Sequence, residues 1–204
     1  MATGPRDVFV NCPFDDAYKP LFHAIVFTVI RSGFVARCAQ ETDDAAENRF
    51  SKICAIIDEC RYGVHDISRT ESDGDPPLPR FNMPLELGLF LGAKRYGMRH
   101  QKSKRCIVFD RERFRFQRYI SDIAGQDIHA HHGDVKTLIS ELATWLREQS
   151  RARNVPGGRA IATEFETFMN ELPAICAARA LESDELTFGD YTDIVVQYLA
   201  AGAA

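Results

Sequence analysis

The chain alternates short apolar runs with longer amphipathic stretches. Asp7-Val8-Phe9-Val10-Asn11 reads as a buried strand ending in a turn, Cys12 to Asp16, where Asp15 or Asp16 can cap a helix. Tyr18, Leu21, Phe22, Ile25, Val26, Val29 and Ile30 then recur at helical spacing until Gly33 stops them. Phe34 to Ala39 predicts a second strand and Gln40 to Glu47 an acidic, polar loop. Phe50, Ile53, Cys54, Ile57 and Cys60 form the apolar face of a second helix. A third strand covers Arg61 to Ile67. A long loop with Gly74 and three prolines runs from Ser68 to Phe81. A third helix opens at Asn82, an N-cap residue by type, with Pro84 tolerated in its first turn. Leu87, Leu89, Phe90, Leu91 and Ala93 make that helix apolar nearly all round, which predicts burial.

Cys106 to Asp110 predicts a fourth strand, and Gln126 to Ala130 a short edge strand after a polar-aromatic stretch. Val135, Leu138, Ile139, Leu142, Trp145 and Leu146 mark an amphipathic helix. Arg151 to Gly158 reads as a linker. Beyond it, Ile161, Phe165 and Phe168, and then Tyr191, Ile194, Val195 and Leu199, are helical in spacing. Strands alternating with helices predict an α/β fold, a three-layer flavodoxin-like parallel sheet over residues 1–150, with a C-terminal helical extension over 151–204.

Composition narrows the function. With 204 residues, 45% hydrophobic and 26% charged, the chain can bury a core without a metal or disulfide staple. Lys and Arg number 25 against 29 Asp and Glu, a net charge of -4, so a strongly basic nucleic-acid binder is not expected. No apolar run reaches about 18 residues, so no membrane span is expected. The start, Met1 to Asp7, carries no leader core. The six cysteines include no C-x-x-C pair. Reduced thiols in a cytoplasmic protein are the expectation, without a zinc ribbon.

In open parallel sheets, ligands bind beyond the carboxyl ends of the strands. Those ends present Asn11, Cys12, Pro13 and Phe14 after the first strand. His65, Asp66, Ser68 and Arg69 follow the third, Asn82 and Glu86 open the third helix, and Asp110 ends the fourth strand. Glu86 stands out because its neighbours Leu85, Leu87 and Leu89 are apolar. A lone carboxylate there needs a partner, a ligand or a cleft. The positive end of the helix would favour its ionised form. Such a carboxylate can stabilise an oxocarbenium-like transition state or attack a sugar carbon. Its structural alternative is an ion pair with an arginine such as Arg37 or Arg69. Asp66 can hold ribose hydroxyls or cap a turn. His65 should face the opposite side of the sheet from Asp66. Arg69 can meet a phosphate or stand as a solvated charge, and so can the basic stretch Lys94 to Arg105. His129, His131 and His132 lack a carboxylate-rich partner motif, so no metal site is expected. Neither a dinucleotide-binding glycine fingerprint, nor a P-loop, nor a G-x-S-x-G elbow occurs.

Four segments carry a resemblance: residues 7–16, Glu47 to Ile53, Tyr62 to Arg69, and Asn82 to Gly88. Together they resemble a group of bacterial TIR-like proteins, similar in turn to nucleoside 2-deoxyribosyltransferases, over roughly residues 6–148. The resemblance implies an α/β domain working on an N-glycosidic bond. Glu86-Leu87-Gly88 fits the nucleophile motif of the transferases, and Glu86 the helix-start glutamate of TIR-type NAD hydrolases. Asp66 would be a second acidic catalytic residue, with Asn11, Cys12, Pro13, Phe14, Arg69 and Asn82 lining the substrate pocket. The Asp-x-Gly-Thr that precedes the transferase glutamate is replaced by Arg80-Phe81-Asn82-Met83. The Trp-Cys of many TIR hydrolases is also missing. The expectation is cleavage of NAD or a related nucleotide or nucleoside, with NAD as substrate and no resident cofactor. The alternative is a non-catalytic, nucleotide-sensing or self-associating module; a homo-oligomer fits both. A phosphate-accepting receiver built on Asp15, Asp16 and Asp66 is a weaker third reading, because the lysine it needs after a late strand is missing.

Overall fold

A computed structural model describes residues 6–41, 44, 46–70, 72–73, 78–79, 81–150 and 155–202. At its centre lie five strands: β1 (Asp7–Asn11), β2 (Val35–Arg37), β3 (Tyr62–Asp66), β4 (Arg105–Asp110) and β5 (Ile128–Ala130). Their spatial order is β2-β1-β3-β4-β5, and every neighbouring pair is parallel. This is the flavodoxin-like order, with its switch point between β1 and β3. Parallel neighbours need long crossovers. Helices α1 (Lys19–Arg31), α2 (Arg49–Glu59) and α3 (Asn82–Tyr96) supply the first three. Two 3-10 turns, Arg115–Arg118 and Ser121–Ile123, lie on the path from β4 to β5. Helices α4 (Val135–Ser150), α5 (Gly158–Ala177) and α6 (Phe188–Ala201) follow. Within the long loop, Ser72–Asp73 and Leu78–Pro79 form a two-residue antiparallel ladder. The rest of that proline-containing stretch (71, 74–77 and 80), part of the acidic loop (42, 43 and 45) and the first half of the expected linker (151–154) lie outside the described residues.

Alternation along each strand sorts side chains to two faces. Val8, Val10, Val64, Ile107 and Phe109 join the core with α1 and α4. Phe9 meets Ile53, Ile56, Ile57 and Phe90 of α2 and α3 on the other side. His65 and Asp66 follow the same rule. His65 packs edge-on to Phe9 and Phe90, whereas Asp66 contacts Tyr18 at the start of α1 and His131 before α4.

Several local expectations are corrected. Helix α1 is not capped by an aspartate side chain: Tyr18 is its N-cap, and Pro20 sits in the first turn. Asp15 instead accepts from the Tyr18 amide at 3.1 Å. Asn82 is already helical, and Phe81 holds the cap position of α3. Helix α3 is not buried all round. Only Met83, Leu87 and Phe90 are fully covered and Leu85 is exposed, because the helix forms the outer layer and meets the sheet along one side. Phe50 on α2 is exposed as well. Lys104, in the basic stretch, is a buried residue rather than a solvated charge. Its ammonium donates to the carbonyls of Ile57 and Cys60 at the end of α2 and lies 4.7 Å from the Phe90 ring centroid. Cations suit the carbonyl end of a helix.

The C-terminal helices continue the core on the α1 and α4 side. Ile161, Phe165 and Phe168 of α5 and Tyr191, Ile194 and Val195 of α6 belong to the same apolar cluster as the sheet. Helix α1 is consequently buried at nine successive positions, Leu21 to Val29. All six cysteines are free thiols. Among the described residues, no helix is long and apolar enough to cross a membrane.

Candidate active site

Helices α2 and α3 both start at the carboxyl edge of the sheet and lie on the same face. Their first turns enclose a cavity of about 300 Å³. Asn82, Leu85, Glu86 and Leu89 reach it from α3, at the i, i+3, i+4, i+7 spacing of one helix face. Asn48, Arg49, Phe50 and Ile53 line it from α2. Asn48 is the N-cap of α2, its side chain accepting from the amides of Phe50 at 3.0 Å and Ser51 at 3.2 Å. That cap fixes where Arg49 and Phe50 emerge. Phe50 and Leu85 are each about half exposed and form an apolar rim.

Glu86 is half-buried in this cavity. Among the described residues its carboxylate has no hydrogen bond and no ion pair. Arg37 is engaged by Glu41, Glu59 and Asp7, and Arg69 by Asp15 at 2.6 Å, so neither arginine neutralises it. Withdrawal from water pushes the Glu86 pKa up to about 7, and Arg49 partly opposes the rise. The expected ionising effect of the helix start is therefore outweighed: near neutral pH the group is divided between acid and carboxylate. That is the condition in which a side chain can give or take a proton in a reaction.

The other predicted residues go elsewhere. Asp66 is fully buried and already bonded: Tyr18 donates its hydroxyl to Oδ2 at 2.6 Å and the Ser68 amide donates to Oδ1 at 2.8 Å. His131 Nε2 stands 3.1 Å from Oδ2, without the alignment of a hydrogen bond. Asp66 thus ties β3 to the start of α1 and does not line the Glu86 cavity. Asn11 is buried too; its amide donates to the Met83 carbonyl at 2.9 Å and meets His65 Nδ1 at 3.0 Å, joining β1 to α3. Cys12 and Pro13 are buried behind it. Burial, followed by the charge of Asp66, holds the Cys12 thiol well above its ordinary range, so it stays protonated. Phe14 is partly exposed and lies at the seam of α1 with α6. Arg69 is paired as above. Of the eight residues predicted for catalysis or binding, Glu86 and Asn82 share the cavity. The imidazoles of His129 and His131 contact Glu141 and Asp66, and no metal-binding group occurs among the described residues.

Asp110, at the tip of β4, is also fully buried. It accepts from Arg115 Nε at 2.8 Å and from the Tyr119 hydroxyl at 3.0 Å, while Arg115 also donates to the Ser68 carbonyl at 2.8 Å. This latch joins the loops after β3 and β4. Arg49 and Phe50 are the members of the Glu86 cavity not anticipated as site residues. The available signal was positional: a helix leaving β2 must begin at the same sheet edge as the helix leaving β3. No protein-family model matches the chain, and no curated protein matches it.

Proposed function

We infer that the chain cleaves an N-glycosidic bond in NAD or a related nucleotide or nucleoside, with Glu86 as the catalytic carboxylate. The observation that carries this reading is the unpaired, half-buried Glu86 side chain in a cavity at the carboxyl edge of a parallel sheet. The surroundings suit such a substrate. Phe50 offers an exposed aromatic face to a base, and Arg49 a cation for a phosphate. The resemblance to TIR-like and deoxyribosyltransferase-like proteins points to the same bond.

In the reaction, the bond from C1′ to the base nitrogen breaks and its electron pair leaves with the base. The ionised Glu86 stabilises the positive charge that develops on the sugar. Water, or the hydroxyl of another acceptor, forms the new bond to C1′ through oxygen and loses its proton to a base, for which Glu86 is suited. Asp66 acts at a distance by holding the β3 tip.

The test is incubation of purified protein with NAD, other nucleotides and nucleosides, comparing wild type with Glu86→Gln. Consumption by the wild type that falls by about 10² or more in the variant is expected. If no candidate is consumed, or the variant is equally active, the reading fails. One observation favours ligand binding without turnover: Glu86 is the only carboxylate that lines the cavity among the described residues. A ligand-induced rise in melting temperature with no product would favour that second reading, and light scattering would test its self-associating form.

A further inference from the structure

A second cavity, of about 170 Å³, lies where the first turns of α1 meet the start of α6, and it shares no lining residue with the Glu86 cavity. Its walls include the rings of Phe14, Phe22 and Phe188, with Phe14 set edge-on to Phe22 at 5.3 Å. His23 is 6% exposed and stacks on Tyr191 of α6, ring centroids 4.0 Å apart and planes 12° from parallel. Its imidazole has no hydrogen-bond partner among the described residues although it lines the cavity. A ring nitrogen without a protein partner beside a cavity is open to pairing with what enters it. Burial, together with the charge of Lys19, holds His23 neutral, with a pKa of about 4. It therefore offers one N–H donor and one acceptor nitrogen. Asp16, at the same cavity, has no side-chain partner among the described residues, whereas Lys19 is turned to the Asp184 carbonyl at 2.9 Å.

We propose that this cavity is a separate binding site for a planar, uncharged heterocycle with ring nitrogens and an amino group, the chemistry of a free nucleobase. Each part of the ligand has a counterpart. The aromatic walls take its flat faces. His23 matches a ring donor and acceptor, and the Asp16 carboxylate accepts from an amino group. The volume has room for a base: a cavity of roughly 150 Å³ holds a benzene ring, and this one measures about 170 Å³. The site depends on α6 as much as on α1, so an occupant would brace the C-terminal helix against the sheet domain.

The test is calorimetric titration of the full chain with adenine and with cytosine, alongside NMR of the His23 imidazole. Binding of at least one base with a shift of the His23 resonances is expected. Phe14→Ala and Asp16→Asn, both at accessible positions, should each weaken it about tenfold. Phe50→Ala, at the other cavity, should leave the base-induced shift of the His23 resonances unchanged, whatever it does to the total heat. If neither base shifts the His23 resonances, or if Phe50→Ala abolishes that shift and Phe14→Ala does not, the proposal is overturned. Turnover at Glu86 is read in a separate assay, so the failure of one idea does not conceal that of the other.

Discussion

Glu86 and Arg49 make a pH experiment possible at the level of single residues. In the proposed reaction the ionised form of Glu86 is the one that stabilises a cationic sugar, and burial pushes its pKa up to about 7. Activity should therefore rise with pH through about 7 and level off above it, with that midpoint in the profile of kcat/KM, which reports the free enzyme. Arg49 lowers the Glu86 pKa by favouring the charged form. Arg49→Ala should move the midpoint to higher pH, and Arg49→Lys should restore part of the difference. A profile flat from pH 6 to 8, or a midpoint unmoved by Arg49→Ala, would detach Glu86 from the chemistry. A second residue-scale prediction concerns Gly63, the second residue of β3. A Cβ there would lie 2.7 Å from His65 Nε2 and 3.0 Å from the Phe90 ring. Both rings are buried and have little room to give. Gly63→Ala should cost about 1–3 kcal/mol in urea unfolding.

At the level of elements, the buried Lys104 joins the end of α2 to the segment entering β4 through the carbonyls of Ile57 and Cys60. Replacing it with methionine keeps most of the volume and removes both donors. Two carbonyls would lose their charged partner, at a cost of about 1–3 kcal/mol measured as a lower urea midpoint. A neutral result would mean that desolvation of the ammonium had cancelled its bonds. The burial of Lys104 was not legible beforehand, whereas the order of elements was. Strand and helix order followed from periodicity, and the parallel topology followed from that order. Which sides of a helix are covered did not follow, because an apolar residue such as Leu85 or Phe50 looks the same whether it packs or lines a cleft. Glu86 was legible as a carboxylate among leucines. Its companions Arg49 and Phe50 were not, because the sheet edge brings them there from a helix more than thirty residues away. The coupling of Asp66 to Tyr18, and of Asp110 to Arg115, is tertiary and leaves no pattern in the chain.

On the scale of the whole molecule, α1 is enclosed between the sheet and helices α4, α5 and α6. One side meets the sheet, and the other meets α5 and α6: Phe27 lies 5.4 Å from Phe165 and 5.2 Å from Phe168, ring to ring, and Tyr191 donates its hydroxyl to the His23 carbonyl at 3.0 Å. Helix α5 also approaches α4 at Gly158, where a Cβ would come within 2.4 Å of the Ser140 Cα. A chain ending at residue 150 would expose the outer side of α1 as a large apolar surface. That truncated chain should bind the dye ANS and self-associate in light scattering. Gly158→Ala gives the same information without truncation. Backbone stands against backbone there, so α5 must shift, and the melting temperature should fall by several degrees, about 1–3 kcal/mol for overpacking. The only tryptophan, Trp145, lies on α4 and faces Tyr62 of β3 at 6.1 Å, so its fluorescence reports the packing of α4 on the sheet. If a 1–150 chain stays monomeric, with native tryptophan emission and no ANS binding, the C-terminal helices are an appendage and the sheet edge that carries Glu86 stands without them. If instead it loses its packing, Glu86 activity and the α1 and α6 cavity depend on one continuous core, and substitutions far from the sheet edge will lower activity by lowering the folded fraction.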